Sequence, residues 1–134
     1  MPDYTKKNLK SDVEDSAPGF GMSPDIEAHF AGEKLELSDA GMAYERTAPD
    51  KRTPFGHAHS QQEEVYVVIE GSGRIKLDDE IVELERLDAV RIGKGVMRCV
   101  EGGPEGIGIL AFGAPPIEGD PREEVEMVPG WWSD

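Results

Sequence analysis

From residue 34 onward the hydrophobic positions come in short runs, and the spacing of a helix is missing. Lys34-Leu35-Glu36-Leu37 alternates polar and apolar, and Met42-Ala43-Tyr44-Glu45-Arg46 is strand-like too. Further runs lie at 65–69, 74–77, 81–84, 89–92, 97–100 and 107–112. Turn residues separate them: Gly71-Ser72-Gly73, Asp78-Asp79, Gly93-Lys94-Gly95, Gly102-Gly103-Pro104 and Gly113-Ala114-Pro115-Pro116. Many short strands with glycine-rich turns predict an all-β barrel or sandwich. Val65-Tyr66-Val67-Val68-Ile69 does not alternate, so both of its faces are expected to be covered, one by the barrel interior and one by a second layer or a partner subunit.

The one helical signal is near the start. Ser23 suits an N-cap, Pro24 the first helical position, and Asp25 and Glu27 the positive end of a helix dipole. Ile26 and Phe30 would share a face, and Gly32 would end the helix after about two turns. The expected organisation is an arm and short helix over 1–33, a barrel over 34–113, and a tail over 114–134 that docks on the barrel or on a partner. Trp131 and Trp132 in that tail are read as an outer plug.

The chain has 134 residues, enough for one domain with one core. It carries 14 basic and 28 acidic residues, a formal net charge of −14. Such a surface disfavours phosphate backbones and anionic headgroups, so neither nucleic acid nor membrane is an expected partner. No apolar run is long enough to span a bilayer, and the first fifteen residues show no apolar signal core. Cys99 is the only cysteine, so no intrachain disulfide forms, and a cytoplasmic setting is expected. Cys99 itself reads as a small buried apolar residue.

The chemistry concentrates between Pro54 and Gly73, PFGHAHSQQEEVYVVIEGSG. On an extended chain His57 and His59 point to the same side. Glu64 opens the apolar strand, with Tyr66 and Val68 in step with it, whereas Glu63 faces outward. Two imidazoles and a carboxylate facing one cavity suit a divalent ion: iron, manganese, zinc, nickel or copper. Tyr66 would line the same cavity as a phenolic contact or a core residue.

His-x-His, four residues, Glu, six residues, Gly resembles the first motif of the cupin superfamily, at His57, His59, Glu64 and Gly71. The resemblance spans roughly 35–112 and implies a double-stranded β-helix barrel, often dimeric. It also implies that these residues hold one metal with a histidine from a second motif. That second motif departs from the pattern. Its positions fall on Leu87, Gly93, Gly95, Arg98 and Gly102, and only Gly95 agrees. Arg98 stands at the ligand histidine, and a guanidinium has no lone pair to give. Three readings follow. A metal sits on His57, His59 and Glu64 with Arg98 steering an anionic or polyol-like ligand. Alternatively, Arg98 takes the metal's place, pairs with Glu64 and anchors an anion in a metal-free binding or sensing module. In the last, the cluster is a satisfied polar core of a structural barrel. A homodimer binding a small molecule is the expected assembly.

Overall fold

Strand β7 (Arg98–Ala114) is the hub of the molecule. A computed structural model of the protein describes residues 2–134. Along β7 run β2 (Gly41–Thr47), β3 (Phe55–His59) and β4 (Glu63–Leu77), all antiparallel. The eight-stranded sheet follows the path β1-β2-β7-β3-β8, with β1 (Ile26–Phe30) and β8 (Val125–Pro129) as its two ends. β5 (Glu80–Leu84) and β6 (Ala89–Ile92) pair with β4.

β4 and β7 are much longer than ordinary strands, and the bends that let them serve two sets of partners fall at glycines. The β4–β7 register shifts between Val68 and Glu70 and again between Gly71 and Gly73. Gly71 has φ +67°, and a Cβ there would collide with the Gly106 carbonyl. This is the physical requirement behind the glycine that closes the first motif. Alternate residues of the long strands point inward. Tyr66, Val68, Ile75, Val100, Ile107, Ile109 and Ala111 form one buried cluster with Ala43, Leu84 and Ile92. On the other face of β4 and β7, Val65, Val67 and Leu110 are half-buried and Phe112 is exposed.

Two local expectations are overturned. Residues 26–30 form a strand, not a helix, paired with β2 from Ile26 opposite Thr47 to Phe30 opposite Ala43. The capping signals were local, but two helical turns stand poorly alone, and pairing with a strand some twenty residues away decides the backbone. His29 therefore lies on β1, stacked on Tyr44, with Nδ1 bonded to the Val13 carbonyl and Nε2 to Glu27. Residues 34–37 are turn rather than strand, closed by Leu35 N–H to the Ala31 carbonyl and Leu37 N–H to the Gly32 carbonyl.

The C-terminal residues enter the sheet. Asp120 caps the short helix α1 (Pro121–Glu124), accepting from the Arg122 amide, and the chain then continues as β8 along β3. Trp131 lies flat on Gly56, where a Cβ would come within 2.6 Å of its ring. Arg52 covers Trp132 at 4.0 Å from the ring centre, and Lys76 covers Trp131 at 4.6 Å. Among the described residues no helix is long and apolar enough to cross a membrane.

Candidate functional site

The alternation of β3 fixes the site. Gly56 and Ala58 are buried on its outer side, and His57 and His59 project to the inner side, their rings perpendicular and 5.1 Å apart. Arg98 sits directly opposite His57 in the β3–β7 register. Glu64 reaches in from the start of β4, in step with Tyr66. One ligand atom from each of His57, His59 and Glu64 lies within 4.8 Å of the others. Glu63 faces solvent and pairs with the outward Arg91 at 3.1 Å.

Arg98 is wholly buried. Its Nη2 donates to Glu64 Oε1 at 3.2 Å, and its Nη1 donates to the carbonyls of Val96 at 3.1 Å and His57 at 3.4 Å. The guanidinium is thus spent largely on the protein itself. It holds Glu64 by Oε1, the oxygen that also faces His59, and so ties down a candidate ligand. Cys99, its neighbour on β7, faces the opposite side, donates to the Thr53 carbonyl, and has its thiol pushed up to about 11 by burial.

Two carboxylates at the site escaped the sequence reading. Glu124, from α1, has a fully buried side chain. Its Oε1 meets His59 Nδ1 at 2.7 Å, and its Oε2 accepts the amides of Gln61 at 3.0 Å and Gln62 at 3.3 Å. Burial works to raise its pKa, but these donors win and hold it below the usual carboxylate range. The second is Glu45 on β2, opposite Ala28 of β1 and Ile109 of β7. Burial, with the Glu64 charge added, pushes Glu45 up to about 7, against the pull of Arg98. Its only advance signal was a charged residue at an inward position of a strand.

His59 therefore lies between two carboxylates. Its Nδ1 meets Glu124, and its Nε2 faces Glu64 Oε1, 3.5 Å away, the oxygen that also accepts from Arg98. A proton on Nδ1, directed to Glu124, would leave the Nε2 lone pair to a cation shared with Glu64. His57 is held neutral by burial, with the Arg98 and His59 charges adding, its pKa falling to about 3. A neutral imidazole is the form that ligates metal. Burial raises Glu64, opposed by His59 and Arg98. Tyr66, pushed far up by burial and by Glu64 and Glu45, stays a phenol.

The site opens into a cavity of about 780 Å³ that runs between the two ends of the strand path. His57, His59, Glu64, Tyr66, Arg98 and Glu45 all line it.

No protein-family model and no curated protein matches the chain. Solved structures do. A cupin protein from Bacteroides fragilis aligns with a TM-score of 0.69 at 25% identity, over 91% of this chain and 94% of that one. A Streptomyces PAC13 variant with uridine aligns at 0.72 and 14% identity, over 96% and 93%; Pac13 is described as a nucleoside dehydratase. KdgF from a Halomonas species aligns at 0.62 and 18% identity, over 83% and 94%. With its curled antiparallel sheet and these likenesses, the chain has the cupin fold, a double-stranded β-helix barrel. Likenesses as distant as the last two establish the fold and leave its chemistry to the residues of this site.

Proposed function

We propose that this cupin-fold protein holds one divalent metal on His57, His59 and Glu64 and binds a small oxygen-bearing or anionic molecule at that centre. The observation that carries the reading is the convergence of ligand atoms from His57, His59 and Glu64 within 4.8 Å of one another, with the far side of His59 fixed by Glu124. A carboxylate behind a ligating histidine sets its tautomer and raises its basicity. The donor set suits iron, manganese, zinc, nickel or copper. Bound there, a metal supplies Lewis-acid polarisation of a ligand oxygen. Arg98 keeps Glu64 in place, and His57 stays neutral.

Charge balance favours this over the metal-free module with Arg98 as anion anchor. With both histidines in their metal-ligating form, one guanidinium against Glu64 and Glu124 leaves the site one negative charge in excess, which repels an anion. A divalent ion reverses that sign. Glu124 is also what makes a cation tolerable beside Arg98. The metal-free reading has one observation of its own: Arg98 Nε is buried without a hydrogen-bond partner among the described residues. Titrating apoprotein with each of the five metals decides between them. One equivalent should bind, and binding should vanish in the His57→Ala/His59→Ala double variant. No uptake of any metal, or uptake unchanged in that variant, rules the reading out.

The apolar outer stripe of Val65, Val67, Leu110 and Phe112 supports a homodimer, which sedimentation measures directly; a clean monomer removes it. The single buried thiol fits the cytoplasm, the compartment we propose.

A further inference from the structure

We propose that the occupant of this cavity carries a hydrocarbon or aromatic body behind its oxygen-bearing head, and is not a polyol. The inference rests on the metal reading for the head alone. His57, His59, Glu64 and Arg98 form one polar cluster in the cavity. Ile26, Ala28, Phe30, Phe55, Ile117 and Met127, none of which has a side-chain hydrogen-bonding group, make an apolar wall broken only by scattered polar groups such as Thr47, Thr53 and Glu33. The edge strands β1 and β8 are each paired on one side, and on the free side of β1 the Ala28 N–H and C=O are taken by Asp15 and Ser16. A sugar or sugar acid would bring more hydroxyls than this wall can pair, and each buried unpaired hydroxyl weakens binding.

Size points the same way. A two- or three-carbon acid would take only a small part of about 780 Å³, a volume on the order of 26 waters at ~30 Å³ each. The rest would be water against apolar walls. Phe30 and Met127 line the cavity from the two ends of the strand path and are 49% and 45% exposed. An apolar body lying between them would cover both. Each methylene moved from water into such a wall tightens binding about four-fold.

The test uses three hydroxamates with one metal-binding head: acetohydroxamate, octanohydroxamate and gluconohydroxamate, titrated calorimetrically into metal-loaded full-length protein. Octanohydroxamate should bind at least ten-fold tighter than the other two. The double variant Phe30→Asp/Met127→Asp, at half-exposed positions and with its fold checked by circular dichroism, should lose most of that preference while acetohydroxamate still binds. A preference of two-fold or less, a gluconohydroxamate that binds tightest, or a preference untouched by the double variant overturns the proposal. If acetohydroxamate binds but chain length has no effect, the body inference fails and the metal reading stands. If the protein takes up no metal, octanoate and gluconate are compared on the apoprotein by thermal shift. A larger rise with octanoate, lost in the double variant, upholds the apolar body, and an equal or larger rise with gluconate ends it.

Discussion

Glu124→Gln is the most informative single substitution. The side chain is fully buried, and its two oxygens face three donors: the His59 ring N–H and the amides of Gln61 and Gln62. Glutamine is nearly isosteric but has one acceptor end and one donor end. If its NH₂ faces His59, the ring must carry its proton on Nε2, which removes the lone pair from the metal site. If the NH₂ faces the amides of Gln61 and Gln62, those two donors lose their acceptor. The first orientation costs metal affinity and the second costs stability. Loss of a carboxylate behind a ligating histidine weakens metal binding by about 10- to 100-fold, or about 1.4 to 2.8 kcal/mol. An unsatisfied buried amide costs about 1 to 3 kcal/mol. Chelator competition measures the first effect, and urea unfolding of the apoprotein measures the second. Metal affinity within two-fold of wild type together with unchanged stability would refute the assignment of Glu124 to His59.

Three further outcomes are expected. Arg98→Met leaves the buried Glu64 carboxylate without its cation and should lower stability by about 3 kcal/mol in urea unfolding at neutral pH, and by less in acid, where Glu64 takes up a proton. Glu45 has its folded pKa raised from 4.5 to about 7, so the folded state binds more protons than the unfolded one between those values. Its contribution is fully present below pH 4.5 and is lost as pH rises through 7, a fall of up to about 3 kcal/mol that Glu45→Gln should remove from the stability–pH curve. Gly56→Ala should push Trp131 off β3, with a loss of about 1 to 3 kcal/mol and an altered tryptophan emission, because the added methyl lands on the indole.

What the sequence made legible was whatever depends on short-range geometry. His57, His59 and Glu64 share a face because strand alternation puts them there, and Gly71 stands where a bulge forces a positive φ. Arg98 was placed beside Glu64 by its position in the second motif, and it does pair with it. What could not be read depends on pairing between distant segments. Ser23-Pro24-Asp25 looks like a helix start until β2 claims residues 26–30. Glu123, Glu124 and Glu126 are alike as letters in an acidic tail. Only the register of β8 on β3, with His59 opposite Val125, brings Glu124 to the imidazole. Glu45 is one acid among 28 until β2 turns it inward between Ala28 and Ile109. The departure at Arg98 left metal and metal-free readings open, because Glu124, the second carboxylate of the cluster, comes from outside the motifs.

The central claim is that His57, His59 and Glu64 share one cation. The most direct measurement is anomalous diffraction from crystals of metal-loaded protein, recorded on both sides of the metal's absorption edge. A single anomalous peak within ligand distance of His57, His59 Nε2 and Glu64, with Glu124 still on His59 Nδ1, is the predicted result. No peak there, with the Arg98 guanidinium filling the space between the three side chains, would contradict it.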